Sequence, residues 1–211
     1  MQEMARVLAL EVSEDSYEPD VIVGLARGGW CPTRCVCDVL EQDDATSIKV
    51  EHYIGTATKG DGPTTRYGVD ESAVEGKNVL LVDDIVDTGE SVSHAADALK
   101  QSGAATVRTA VLHSLPDAGA EPDYVARSLN NFAWVIYPWN VVEDIHDITR
   151  KLSDREPTTY TYDELRSELE VAYGLDEAKL TTLPMPLETI LNTLDERDEL
   201  SFDGERVDVP E

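Results

Sequence analysis

The 211-residue chain lacks any long apolar run, and it has few cysteines and few basic residues. No segment approaches the roughly 18 uninterrupted apolar residues of a membrane helix, so we expect no membrane partner. The first twenty residues carry acids where a secretory signal carries a basic region, and they lack a clear cleavage site. We therefore expect a cytoplasmic protein whose start is part of the fold.

Basic residues are outnumbered, since 17 Lys and Arg face 43 Asp and Glu and the formal charge is −26. Such a charge repels phosphate backbones, so we expect no nucleic-acid partner. Only six residues are Lys, and the acids are dispersed along the chain. This pattern resembles proteins of halophilic organisms, haloarchaea among them, whose molar salt screens self-repulsion. An ordinary acidic protein is the alternative.

Three cysteines, Cys31, Cys35 and Cys37, lie close together in the sequence. In a helix that begins at Pro32, Cys31 and Cys35 share a face while Cys37 turns away, and no fourth ligand lies nearby for a tetrahedral metal site. We interpret them as buried free thiols in a reducing cytoplasm rather than as a metal or disulfide site.

Apolar runs and turn residues alternate along the first part of the chain. The patterns predict strands at 20–25, 47–53, 78–83, 106–113, 124–127 and 133–137, helices at 32–40 and 90–101, and a polar, glycine-rich mobile loop at 55–68. Strands that alternate with helices favour an α/β domain with a mainly parallel, twisted sheet flanked by helices. We place this domain at residues 1–156.

The pattern of apolar and polar residues changes near Pro157. From this pattern we predict a small appendage of unknown role at residues 157–211. Thr161 and Glu164 form a capping box for a helix that ends near Gly174. A second helix is predicted at 186–197, and two short strands around Asp203-Gly204 would complete a winged-helix-like outline.

The segment VLLVDDIVDTGES, residues 79–91, carries the chemistry. An apolar strand is followed by Asp83 and Asp84, and a helix begins shortly after them. The free N–H groups of its first turn, together with the hydroxyls of Thr88 and Ser91, form a binding site for a phosphate dianion, the phosphate cradle. Gly89 allows close backbone approach. Two carboxylates at an anion site need other partners, and ribose hydroxyls with a nearby magnesium ion are suitable ones. A plain buried strand and capped helix would explain the apolar residues and Gly89, but not two consecutive acids.

This run closely resembles the phosphoribosyl pyrophosphate signature of the type I phosphoribosyltransferase family. The resemblance covers about residues 15–150 and implies that the sugar phosphate is bound by the signature residues Asp83, Asp84, Asp87, Thr88, Gly89, Glu90 and Ser91. It also implies the family's fold and Mg²⁺ as cofactor, with Asp83 and Asp84 acting on the metal indirectly. We further expect a homo-oligomer, either a dimer or a tetramer.

A second loop, Ala26-Arg27-Gly28-Gly29, follows the first strand and precedes a helix. Loops at the carboxyl ends of neighbouring parallel strands converge, so Arg27 and the loop amides could bind a departing pyrophosphate. Alone, Arg-Gly-Gly is more often an ordinary turn. Beside the stronger motif it resembles the family's pyrophosphate loop, which implies ligand contacts from Ala26, Arg27 and Gly28 and a cis Ala26-Arg27 peptide bond.

The base is suggested by three further positions. The resemblance implies a 6-oxopurine, because relatives acting on 6-oxopurines usually carry an acid at the position of Asp87, which could relay a proton at the purine N7. The stretch 133–139 looks like the purine-contacting strand of xanthine and hypoxanthine-guanine enzymes. It implies stacking by Trp134 and backbone bonds from Val135, although Trp134 could instead be a core residue, as we prefer for Trp139.

Three positions depart from the family pattern. His113 stands nearest to the place where relatives have a lysine that meets the purine 6-oxygen. Asn140 replaces an acid that often helps to bind magnesium. Glu90 adds a negative charge beside the phosphate cradle, which is tolerable only if its side chain is exposed.

Two functional hypotheses follow. The first is an enzyme of purine salvage that joins xanthine, guanine or hypoxanthine to the ribose phosphate, with Asp87 as catalytic residue. The second is a regulatory module that senses phosphoribosyl pyrophosphate without catalysis. The acidity of residues 157–211 opposes contact with DNA by the tail, and the presence of Asp87 and Trp134 favours catalysis.

Overall fold

The structure is a computed structural model, and it describes residues 2–52, 62–116, 118–119, 121–153 and 158–210. The chain divides into two compact units, Met1–Phe132 and Ala133–Glu211. Within the described ranges, no helix is both long and apolar enough to cross a bilayer.

The first unit is the α/β domain that the sequence predicts. Its elements in chain order are α1 (Gln2–Glu14), β1 (Val21–Ala26), α2 (Trp30–Val39), β2 (Ala45–His52), β3 (Pro63–Tyr67), α3 (Glu71–Val74), β4 (Asn78–Val86), α4 (Glu90–Gln101), β5 (Thr106–Ser114) and β6 (Tyr124–Ser128).

In the described part of the chain, six strands form one sheet in the order β3-β2-β1-β4-β5-β6. The pairs β1–β2, β1–β4, β4–β5 and β5–β6 are parallel, and β3 is antiparallel to β2. Helices flank the sheet, and a core of strand residues packs against α3 and α4. The mainly parallel sheet is therefore confirmed, with β1 and β4 at its centre.

Two strand predictions need correction. The loop predicted at 55–68 contains β3, because Thr64, Thr65 and Tyr67 are β-favouring residues that pair with the end of β2. Residues 55–61 of that loop lie outside the described ranges. The strand predicted at 133–137 does not form, because these residues have no regular secondary structure and join neither sheet of the described structure. Two of its apolar side chains, Trp134 and Ile136, pack against the core of the second unit.

The thiols also differ from expectation, because only Cys37 is buried while Cys31 is exposed. The buried face of α2 consists of Pro32, Thr33, Val36 and Cys37. The face that Cys31 shares with Cys35 is therefore the outward one.

The second unit contains helices around a small sheet. Its elements are α5 (Val141–Ser153), β7 (Thr159–Thr161), α6 (Tyr162–Tyr173), α7 (Glu177–Thr181), α8 (Leu187–Asp195), β8 (Ser201–Phe202) and β9 (Arg206–Asp208). The Thr161–Glu164 capping box is present, and the predicted hairpin is formed by β8 and β9. Gly174 ends α6 in the left-handed region.

The second unit starts earlier than the boundary at 156 that the sequence texture suggests. Helix α5, which the sequence patterns did not reveal, buries Val141, Ile145, Ile148 and Leu152 in one core with α6 and α8. The apolar face of α5 therefore assigns it to the second unit.

Candidate active site

The candidate phosphate loop joins β4 to α4. Strand β4 extends to Val86, so Asp83 and Asp84 lie inside the strand rather than at its end, and Asp83 pairs with Val111 of β5. Gly89 adopts φ +82°, a left-handed conformation that L side chains rarely adopt, and it starts α4. This turn brings Asp87 and Thr88 to the surface, where both are exposed.

The start of α4 has the features that an anion site requires. Its first turn includes Ser91, which is half-buried, and Glu90, which is exposed as its charge requires. The Thr88 hydroxyl accepts a hydrogen bond from the Glu90 N–H at 3.4 Å. The carbonyl of Thr88 accepts a bond from the Gly119 N–H at 2.9 Å, which ties the phosphate loop to the segment after β5.

The pyrophosphate loop follows the neighbouring strand β1. The Ala26-Arg27 peptide bond is cis, as the sequence resemblance implied. Arg27 is exposed, and the Gly29 N–H returns to the Leu25 carbonyl at 2.8 Å, so the chain turns tightly into α2. Because β1 and β4 are parallel neighbours, with Gly24 opposite Val82, both loops leave the same edge of the sheet.

The loop after β1 contacts strand β4 through two glycines. A Cβ atom on Gly28 would lie 2.3 Å from an Asp84 carboxylate oxygen, and one on Gly29 would lie 2.4 Å from the Val82 carbonyl oxygen. Only hydrogen fits in either place. The candidate pyrophosphate loop is therefore packed directly on the C-terminal half of β4, with the Asp84 carboxylate against Gly28.

The two acids differ in environment. Asp84 is buried, and its N–H donates a 2.9 Å hydrogen bond to the Asp83 carboxylate. Burial, and next the negative charge of Asp84, raise the pKa of Asp83 well above its usual range. Two adjacent carboxylates repel each other when both are ionised. Hydrogen bonds from hydroxyl groups, or a bound cation, would reduce this repulsion.

His113, one of the residues expected to meet the base, belongs to the first unit. His113 lies near the end of β5, where it is paired with Ile85 and Arg127 on the adjacent strands. Burial, followed by the nearby Arg127 charge, lowers the pKa of His113, so its imidazole is neutral near pH 7. A neutral imidazole still has one N–H donor.

Trp134 and Val135 lie on the irregular stretch that opens the second unit. The Lys151 ammonium lies 4.1 Å from the centroid of the Trp134 ring, and the Tyr173 ring meets it edge-on at 6.1 Å. Neither neighbour could be predicted from the sequence, because both are distant from Trp134 along the chain and carry no motif. Trp139 stacks on Tyr137 at 4.9 Å.

The carboxylates of Asp83 and Asp84 are hard oxygen donors of the kind that Mg²⁺ prefers. In the described ranges, no group of three or more His, Cys, Asp or Glu side chains comes together as a metal cage. Mg²⁺ commonly uses one or two carboxylates together with substrate phosphates and water. Asp83 and Asp84 therefore fit an ion that arrives with its substrate.

Comparisons with known proteins agree with this geometry. The profile of the phosphoribosyl transferase domain family matches residues 2–144. The chain belongs to that family, and it has the type I phosphoribosyltransferase fold.

Individual relatives carry different activities. An orotate phosphoribosyltransferase of Oceanobacillus iheyensis is 34% identical over 101 residues, which are 48% of this chain and 46% of that protein. A ribose-phosphate pyrophosphokinase of Rhizobium meliloti is 35% identical over 77 residues, which are 36% of this chain and 25% of that protein. The chain thus spans about half the length, or less, of these two curated relatives. The crystal structure of a purine phosphoribosyltransferase from Pyrococcus horikoshii is 29% identical with a TM-score of 0.56, covering 65% of this chain and 86% of that one.

Proposed function

We propose that the protein transfers the ribose phosphate of phosphoribosyl pyrophosphate to a 6-oxopurine, forming a nucleoside 5′-monophosphate and pyrophosphate. The observation that carries the proposal is the contact of Gly28 with Asp84. It brings a loop suited to a departing diphosphate against the strand whose acids precede the candidate phosphate loop. A single anion site would not need the second loop.

Each loop has a distinct task. The N–H groups at the start of α4 and the hydroxyls of Thr88 and Ser91 hold the 5′-phosphate. Asp83 and Asp84 accept hydrogen bonds from the ribose hydroxyls. Arg27 and the amides of its loop, from Ala26 to Gly28, stabilise the negative charge that grows on the leaving pyrophosphate.

Magnesium, when bound, neutralises phosphate charge and makes the diphosphate a better leaving group. Asp83 and Asp84 would hold it, either directly or through ordered water.

Bond formation at the purine N9 requires a proton to leave the base. Asp87 is exposed in the turn before α4, and it is the acid that can accept this proton at the purine N7. Trp134 would supply a stacking surface, the Val135 backbone would meet the purine edge, and the neutral His113 N–H would donate to the 6-oxygen.

The choice of base is supported by Asp87, by Trp134 and by similarity to the Pyrococcus purine phosphoribosyltransferase. The orotate enzyme among the sequence relatives is the competing indication. A site built around a hydrogen bond to a 6-oxygen rejects an analogue without it by roughly 10⁴-fold. Adenine should therefore be a poor substrate.

A steady-state assay with magnesium in molar potassium chloride tests the proposal, with xanthine, guanine, hypoxanthine, adenine and orotate as acceptors. We expect use of at least one 6-oxopurine well above adenine and orotate. Preference for adenine or orotate would refute the base assignment. Binding of phosphoribosyl pyrophosphate without use of any base would instead favour the sensor hypothesis.

A further inference from the structure

The indole ring of Trp134 is held by two helices of the second unit. Lys151, near the end of α5, places its ammonium 4.1 Å from the ring centroid. Tyr173, the last residue of α6, meets the ring at an interplanar angle of 79°. Trp134 and Tyr173 also pack against the apolar core of the unit. These contacts restrict both the position and the tilt of the ring.

The Lys151 contact has a consequence for stacking. A cation at this distance from an indole face is attracted by the ring quadrupole. It also occupies the space in which a second ring would lie on that face. A purine that stacks on Trp134 must therefore use the opposite face of the indole ring. The edge contact with Tyr173 restricts the tilt of that ring.

We propose that Lys151 and Tyr173 are positioning residues that fix the Trp134 ring for base recognition. The proposal rests on the proposed function, since it takes Trp134 as the surface on which the purine stacks. A ring that is already fixed loses less conformational freedom when the base binds. Lys151 and Tyr173 should therefore affect the purine and leave phosphoribosyl pyrophosphate binding unchanged.

Kinetics of charge variants provide the first test. Lys151→Ala should raise the Michaelis constant for the purine about two- to fivefold, the range expected for an exposed cation–π contact. The constant for phosphoribosyl pyrophosphate should not change. Lys151→Arg should restore the purine constant, because a guanidinium also stacks on indole. Arg150→Ala removes the same charge from the adjacent exposed position of α5 and should behave as wild type.

Fluorescence provides a second test that does not depend on turnover. With Trp30 and Trp139 replaced by Phe, Trp134 is the single tryptophan of the chain. In this background Lys151→Ala should shift the emission maximum, while Arg150→Ala should not. Tyr173→Leu should shift it too. The product nucleotide of the preferred purine should quench the emission.

The outcomes separate two failures. If wild type is active and its nucleotide quenches Trp134, but Lys151→Ala changes neither the emission nor the purine constant, the positioning role is wrong. A lower purine constant in Lys151→Ala would also overturn it, because Lys151 would then compete with the base. If no base is used and no nucleotide quenches, the proposed function itself fails, and the positioning role fails with it.

Discussion

Gly28 offers the sharpest test of how the two loops cooperate. A Cβ atom at this position would lie 2.3 Å from one Asp84 carboxylate oxygen and 2.6 Å from the other and from the carboxyl carbon. Ordinary Cβ contacts begin at about 3.4 Å, so Gly28→Ala must widen this gap by about 1 Å. Asp84 is 5% exposed, so its carboxylate has little room to move away.

This displacement should lower the activity of the Gly28→Ala variant more than it lowers its stability. A misplacement of about 1 Å in a positioning group can cost roughly 100-fold, and we expect a loss of that order in kcat/KM for phosphoribosyl pyrophosphate. Overpacking by one methyl group costs about 1–3 kcal/mol, which lowers the Tm of a chain of this size by roughly 2–12 °C. The variant should therefore remain folded at 25 °C.

Gly68→Ala is the matched control, because a Cβ there meets nothing within 4 Å. Initial rates of nucleotide formation, calorimetric titration with phosphoribosyl pyrophosphate and magnesium, and thermal melts should be measured on both variants. Gly68→Ala should stay within about twofold of wild type, as expected for an unhindered surface site. A folded Gly28→Ala variant with wild-type kcat/KM would refute the argument that loop contact positions Asp84.

Four further outcomes are expected. Asp87→Asn should lower kcat by roughly 100-fold or more, the usual cost of losing a general acid–base group, with little change in phosphoribosyl pyrophosphate affinity; unchanged turnover in rapid-mixing assays would exclude the role. Arg27→Ala should weaken both pyrophosphate binding and catalysis, measured by product inhibition and kcat/KM, because it removes a charge-assisted contact. Burial lowers the pKa of His113, so the unfolded chain takes up a proton first and stability should fall as the pH drops below about 6.5; melts of His113→Asn should show a shallower slope over that window. Salt should raise the Tm between dilute and molar potassium chloride because it screens the charge of −26, and a Tm independent of salt would contradict the halophilic interpretation.

Local sequence patterns determined the parts of the site that lie on one continuous stretch. The acids Asp83 and Asp84, Gly89 and the start of α4 follow one another within residues 79–91, so strand, turn and helix signals identify the phosphate cradle without knowledge of the fold. The same holds for the capping box of Thr161 and Glu164. Such features depend on backbone hydrogen bonds between near neighbours, which a short sequence can specify.

Packing between distant segments decided the rest. The stretch 133–137 has the apolar pattern of a strand, but two of its side chains, Trp134 and Ile136, pack against a core that includes residues of α5, α6 and α8. Periodicity reports that a segment is apolar on one side and does not report which partner covers it. The same limit applies to the contact of Gly28 with Asp84 and to the placement of Lys151 over Trp134. Each joins residues separated along the chain, so only the tertiary structure brings them together.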